Sequence, residues 1–275
     1  MDFKKLNLTN RKYNFHSHTQ YCDGRDTMEA FAKAAVDEGF SHYGFSPHSP
    51  IPIASPANMA QEDVELYLRD AKRIQKRYAE TPTHFYAAME VDYLGPHWGP
   101  STSYFNSLPL DYRIGSVHFI PNQSGELLDV DGSFVSFGKK LTDYFRGDLH
   151  YVVNKFYDQS LEMVTRGGFD IIGHYDKIGN NASHFQHGIE QEDWYIDRVS
   201  QLTEAIIQSG VAVEINTKAR ANHGRFFPAV TCWRKLIDAG VTILVNSDAH
   251  YHDLINASRD EALDLLEQIK HGNLY

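Results

Sequence analysis

Seven short apolar runs, near residues 13–18, 41–47, 83–92, 111–120, 169–175, 211–217 and 242–249, alternate along the chain with patterns of helical period. Runs of that length are strand candidates, and helices set between them make parallel βα units, because a parallel return needs a crossover of about a dozen residues or more. The helical patterns fall at 27–39 and near 60–80, 138–166, 192–209, 228–239 and 257–270. The first sets Met28, Phe31, Ala32, Ala35 and Val36 on one face, with Asp26 or Thr27 as N-cap and Gly39 as the stop. No strand candidate is followed by G-x-G-x-x-G, which removes support for a dinucleotide fold. The number and even spread of the units therefore predict an α/β barrel filling one domain over residues 1–275. The least regular parts, 94–110, 121–137 and 177–191, are expected to be loops or insertions on the functional face.

The ends of these strands carry the chemistry. "NFHSH" closes on His16 and His18, "YGFSPH" on His48, "IGSVH" on His118, "DIIGH" on His174 and "ILVNSDAH" on Asp248 and His250, while "AAMEVDY" carries Glu90. Alternation along a strand puts His16 and His18 on one face, with Phe15 and Ser17 on the other. In a parallel barrel the strand ends gather at one mouth, so these side chains are expected to converge. Imidazole with carboxylate and no thiolate suits Zn²⁺, Fe²⁺ or Mn²⁺. Eight or nine donors exceed the needs of one ion, and ions sharing bridging carboxylates are the usual apparatus for phosphate ester hydrolysis.

Composition narrows the class. A formal charge of −10, with no Lys/Arg run longer than two, excludes a broad phosphate-backbone surface, so no nucleic-acid polymer is expected as partner. Cys22 and Cys232 match no metal or redox spacing and fit a reducing compartment. The opening "MDFKKLNLTN" has no apolar signal core, and no run is long enough to span a bilayer, so the expected location is cytoplasmic, without a membrane partner.

Taken in order, HxH, Ser-x-His, a lone Glu, S-V-H, G-H and S-D-x-H resemble the polymerase and histidinol phosphatase (PHP) superfamily, and within it the monofunctional histidinol-phosphate phosphatases. The resemblance runs from His16 to His250. It implies a distorted (β/α)7 barrel with three divalent transition metal ions (Zn, Fe or Mn) and hydrolysis of a phosphomonoester, L-histidinol phosphate, to L-histidinol and phosphate in histidine biosynthesis. The alternative within the superfamily is a phosphoesterase acting on a nucleotide or another small phosphate ester.

Carried over by position, the resemblance implies a first ion on His16, His18, Glu90 and Asp248, a second on Glu90, His118 and His174, and a third on Asp23, His48 and His250. Relatives often have a histidine after HxH; here Asp23 of "QYCDG" is the nearest donor, with Cys22 as its rival. The second strand reads "FSPHSP" where relatives have T-D-H, so an acid is missing at Pro47, and Asn180 and Asn181 stand where relatives carry a basic residue. Lys177, Lys218 and Arg220 are the candidates for substrate phosphate. Asp248, through a bound water, is the candidate for protonating the leaving alkoxide. His184, His187 and His223 lie on functional-face loops, where one could carry a proton, and Glu126, Asp129 and Asp131 are candidate partners for a substrate ammonium.

Overall fold

The computed structural model describes residues 1–6, 8, 9 and 11–272. Strands β1 (Tyr13–Asn14), β2 (His42–Phe45), β3 (His84–Asp92), β4 (Tyr112–Ser116), β5 (Phe119–Pro121), β6 (Leu127–Asp129), β7 (Ile171–Ile172), β8 (Ala212–Asn216) and β9 (Ile243–Asn246) are described. Seven of them form one sheet in the order β1-β2-β3-β4-β7-β8-β9, and every pair in it is parallel. The helices are α1 (Met28–Asp37), α2 (Val64–Arg77), α3 (Ser103–Ser107), α4 (Phe134–Phe145), α5 (Leu149–Arg166), α6 (Ile178–Phe185), α7 (Asp193–Ser209), α8 (Arg220–His223), α9 (Trp233–Asp238) and α10 (Arg259–Lys270). This is a distorted (β/α)7 barrel.

The distortion lies at the seam between β9 and β1. Among the described residues an isolated parallel bridge, Ser17 to Ala249, is the one backbone pairing that joins the two edges, where the His18 amide donates to the Ala249 carbonyl at 2.8 Å. Side chains do the rest of the ladder's work. Asn246 Oδ1 accepts from the Phe15 amide at 2.9 Å, and Asn14 donates to Ser247 Oγ at 2.7 Å while accepting from the Ser247 amide at 3.2 Å. Two buried asparagines thus satisfy backbone groups that a regular strand pair would have matched.

Apolar side chains cover the sheet on both flanks. One cluster sets α1 and α2 against β2 and β3 through Phe31, Tyr67, Ile74, Phe45, Phe85 and Met89, and another sets α5 and α7 near β8 through Val152, Phe156, Leu202, Ile206 and Val213. A smaller cluster holds Phe3, Phe15, Ala88, Tyr112, Ala212 and Leu244. Ala88 and Ala212 sit two residues before Glu90 and Glu214 on the same strands, so this cluster is the floor beneath the polar mouth. Phe15 belongs to that floor, with its ring 5.7 Å from Tyr112 and edge-on to it, because regular β1 ends at Asn14 and strict alternation stops there.

The thirteenth to eighteenth residues aside, the principal departures from the expected elements are insertions. The helix expected over 138–166 is two helices, broken where Arg146 and Gly147 take φ of 57° and 73° and Asp148 caps the second by accepting from the Tyr151 amide at 2.8 Å. The stretch 121–137 is not a plain loop. It contains the antiparallel hairpin β5–β6 and the start of α4, so "GELLDVDG" contributes a strand. At α1 it is Thr27 that caps, accepting from the Ala30 amide at 3.2 Å.

Candidate metal centre

All nine side chains expected as ligands meet at the mouth of the barrel, in four overlapping groups whose donor atoms lie within 4.8 Å of one another. The groups are His16, His18 and Glu90; His16, His174 and Asp248; His48, Glu90 and His118; and His18, Asp23, His48 and His250. His16 and His18 bring their Nε2 atoms to 3.2 Å, although the strand alternation expected to align them ends before either residue. The groups overlap with the three-ion partition implied by family resemblance but divide the residues differently. His18 serves two of them, with Nε2 at 3.5 Å from Glu90 Oε2 and Nδ1 at 3.6 Å from Asp23 Oδ1.

Glu90 is the hinge of the centre. Its Oε1 lies 2.8 Å from His174 Nε2 and its Oε2 lies 3.0 Å from His48 Nδ1 and 3.3 Å from His16 Nε2. Burial alone would raise its carboxyl pKa, but His16, His118 and His48 outweigh that and hold it well below the usual carboxylate range. Asp248 is likewise held low against burial, first by Lys218 and then by His16 and His18. His18 goes the other way: burial, with His250 and His48 beside it, pushes it well below the ordinary histidine value, which keeps a lone pair on the ring.

The donor set fits cations. Asp23 Oδ1, His48 Nδ1, Glu90 Oε2 and His118 Nε2 are buried and make no hydrogen bond, although each belongs to a donor group that includes His48. Orphaned buried polar atoms are costly, and four of them converging in one place leave a positive ion as the economical partner. The absence of a thiolate from all four groups suits a zinc-, iron- or manganese-type site built on nitrogen and oxygen.

Two ligands are aimed by buried carboxylates that sequence reasoning missed. His16 Nδ1 lies 2.7 Å from Glu214 Oε1, and His118 Nδ1 lies 2.7 Å from Asp92 Oδ1, so each ring presents Nε2 to the centre. Glu214 also accepts from the His174 amide at 3.2 Å and from Asn246 at 3.1 Å, which ties three strands to one side chain. The signal was there: an acid inside the apolar run "VAVEIN" must be paired if the run is a buried strand, and "MEVD" puts Asp92 on the face of Glu90. Backbone strain marks the same place. Asp248, with φ of 51°, and His174, with φ of 20°, stand in conformations that residues with a Cβ rarely adopt.

Asp23 and Cys22 are separated by the fold. Asp23 Oδ1 lies 3.2 Å from His250 Nε2 and joins the fourth group, whereas Cys22 Sγ, 3.4 Å from His18 Nδ1, belongs to none. Burial and the neighbouring Asp23 push the Cys22 thiol up to about 12, so it stays protonated. Gly24 fixes this loop, since a Cβ there would stand 2.4 Å from the His18 carbonyl carbon.

The basic candidates divide as well. Lys218 Nζ lies 3.3 Å from Asp248 Oδ1 and 3.2 Å from His250 Nε2, at the edge of the centre. Lys177 pairs with Asp131 at 2.7 Å, and both lysines line a cavity of about 360 Å³ with Asn180, Asn181 and Phe134. Burial opposes the charge on Lys177, but Asp131 and Asp248 raise its pKa. Arg220 is placed apart from the lysines: α8 turns its guanidinium to Glu261, at 2.9 Å from Nε, and onto the Phe226 ring, and it lines neither this cavity nor the larger one beside His118. Of the loop acids, Asp131 is taken by Lys177 and Asp129 by Lys140 at 2.7 Å, while Glu126 bonds within its own turn to Asn122 at 3.3 Å. His184 and His223 stand against Phe134, and His187 is exposed.

A parallel seven-stranded barrel with a histidine-carboxylate centre at its mouth defines a metal-dependent hydrolase scaffold. The PHP domain model matches residues 14–218, and the chain belongs to the PHP domain family. It is 26% identical over 244 residues, 86% of this chain and 85% of the other, to a Deinococcus radiodurans protein named a probable histidinol-phosphatase. It is 29% identical to the histidinol-phosphatase of Bacillus subtilis over 133 residues, 44% of this chain and 49% of that one. Two solved structures share the fold. A Listeria monocytogenes protein described as a histidinol phosphatase superposes with a TM-score of 0.80 at 18% identity, covering 91% of this chain and 99% of its own. Histidinol phosphate phosphatase of Lactococcus lactis, complexed with zinc, L-histidinol and phosphate, gives 0.70 at 17% identity, covering 94% and 93%.

Proposed function

We propose that this protein hydrolyses a phosphomonoester, L-histidinol phosphate, to L-histidinol and phosphate, using two to three divalent transition metal ions with zinc as the first candidate. The observation that carries the proposal is the convergence of nine nitrogen and oxygen donors, several without partners, beside two lysines that face a cavity of small-molecule size. The names of the similar proteins and the zinc of the Lactococcus lactis complex support the same substrate and metal. When bound, such ions polarise phosphoryl oxygens and make hydroxide available near neutral pH.

The protein's own groups supply the rest. Glu214 and Asp92 hold the His16 and His118 rings in the tautomer that offers Nε2. Lys218 and Lys177 bring positive charge to phosphate oxygens, which gain charge as the P–O ester bond breaks. Asp248, held ionised by Lys218 and the histidines, accepts from a water and orients it; that water gives its proton to the departing alkoxide and is made good by the proton that the attacking water sheds, so ester and one water give alcohol and hydrogen phosphate. Asp248 thus acts through the water and not as the acid itself.

The test is phosphate release by purified, metal-analysed protein from histidinol phosphate, nucleoside monophosphates and sugar phosphates. The expected result is a kcat/KM for histidinol phosphate about tenfold or more above the others. A nucleotide at the head of the series would replace the substrate while keeping the phosphoesterase.

A further inference from the structure

The lining of the 360 Å³ cavity has two chemically different parts. One is Lys177, Lys218 and Asp131; the other is Phe134, at the start of α4, with His223. There the Phe134 ring lines the cavity and is stacked on the His184 ring, with centroids 3.8 Å apart and planes at 5°. His223, which also lines the cavity, meets Phe134 at 5.2 Å and 65°. Both histidines are largely exposed, and His184 does not line the cavity, so the stack stiffens Phe134 from outside. Asn180, Asn181 and Asn222 also line it. Asn181 spends its NH2 on the Val130 and Gly132 carbonyls at 3.0 and 3.3 Å, and its Oδ1 finds no partner among the described residues.

The neighbouring 540 Å³ cavity differs. It takes in the ligand candidates Asp23, His48 and His118, its apolar wall is mostly aliphatic, with Ile53, Ala54, Pro56, Leu127 and Leu128 beside the buried Phe119, and its other carboxylates Asp92, Asp129 and Asp131 are taken by His118, Lys140 and Lys177. A flat heteroaromatic ring with an N–H gains more from a stiffened aromatic face and a free amide oxygen than from branched aliphatics. A ring that takes up a proton gains further from the face of Phe134.

We propose that Phe134, backed by His184 and flanked by His223, is the specificity-determining wall that receives the imidazole of the leaving group, with its phosphate at the lysines. This rests on the histidinol phosphate reading and adds where and by what the ring is recognised.

The experiment compares kcat/KM for histidinol phosphate with kcat/KM for 2-aminoethyl phosphate, which keeps phosphate and ammonium and lacks the ring. In Phe134→Ala the ratio of the two falls about three- to tenfold, mostly through KM for histidinol phosphate. Phe134→Tyr, which keeps the ring, holds the wild-type ratio, and His223→Ala lowers it less than Phe134→Ala. L-Histidinol, assayed as an inhibitor of 2-aminoethyl phosphate turnover, weakens in Phe134→Ala by a similar factor. Equal losses on both esters, an unchanged ratio, or a ratio lost equally in Phe134→Tyr overturns the wall while leaving the reaction in place. Wild-type protein that turns over 2-aminoethyl phosphate but not histidinol phosphate overturns the reading of function, and the wall with it.

Discussion

The two halves of the site are built by different means. The candidate metal centre stands largely on strand ends, its side chains are nearly all buried, and two of its rings are aimed by buried carboxylates on other strands. The proposed phosphate and leaving-group side stands on inserted elements, β5–β6, α4, α6 and α8, with exposed histidine rings and lysines paired to acids. A strand end leaves a side chain little choice of position, while an insertion can set the same residue type toward the substrate or toward the surface. Precision therefore resides in the sheet, and selectivity in the loops.

If that division is right, the largest losses belong to the sheet. His16→Asn or His118→Asn should lower both bound metal and turnover, by more than the 10- to 100-fold typical of residues that only orient ligands. Metal analysis beside phosphate release checks this. Full activity in metal-free protein would end the account of the centre.

The next effect sharpens the comparison within the sheet. Glu214→Gln should cost about 10- to 100-fold in metal affinity or activity, because it removes the carboxylate behind His16 and disturbs the bonds to the His174 amide and Asn246. Asp92→Asn should fall in the same range, with a narrower structural effect, since its carboxylate bonds His118 and Asn58. Titration of apo protein with zinc, read alongside thermal unfolding, separates lost metal affinity from lost fold. A variant with wild-type affinity would show that orientation by a carboxylate is not needed here.

What could be read in the sequence follows the same division. The ligand histidines and Asp248 were legible because they close apolar runs and parallel strands must gather their ends, so HxH, S-V-H and S-D-A-H needed no knowledge of the loops, whereas Glu90 lies inside its run and Asp23 on a loop. Glu214 escaped because it sits inside its strand, two residues before Asn216, in a run with no metal ligand at its close. The lysines and Arg220 could not be sorted, since a basic residue on an insertion takes whichever acid tertiary packing brings near. Glu261, 41 residues along the chain, captured Arg220, and Asp131, on the far side of β7 and α5, captured Lys177. The hairpin was missed because three-residue strands carry almost no periodicity.

On the loop side the two basic residues should therefore part company. Lys218→Ala should lower kcat/KM for histidinol phosphate about ten- to a hundredfold, the loss expected of a charge-assisted bond at a phosphate oxygen. Arg220→Ala removes a surface pair with Glu261 and a stack on Phe226, so its effect should stay within about 1 kcal/mol of stability and leave kinetics near wild type. A large kinetic loss in Arg220→Ala would return that residue to the site.

The smallest effect distinguishes two neighbours in one loop. Asp23 faces His48 and His250 with an oxygen that has no hydrogen bond, so Asp23→Ala should loosen one ion and leave the others, read as a drop in metal content of about one equivalent. Cys22→Ser should leave metal content unchanged, because the thiol belongs to no donor group and burial with Asp23 holds it near 12. The sign of that shift makes a second check available. A thiol whose pKa is raised is neutral at pH 8, so a thiol-specific reagent should modify Cys22 slowly in the native protein and rapidly once it is unfolded. Loss of an ion in Cys22→Ser, or fast native modification at pH 8, would mean that the sulfur is a thiolate ligand and that the loop's charge, not only the sheet's geometry, completes the centre.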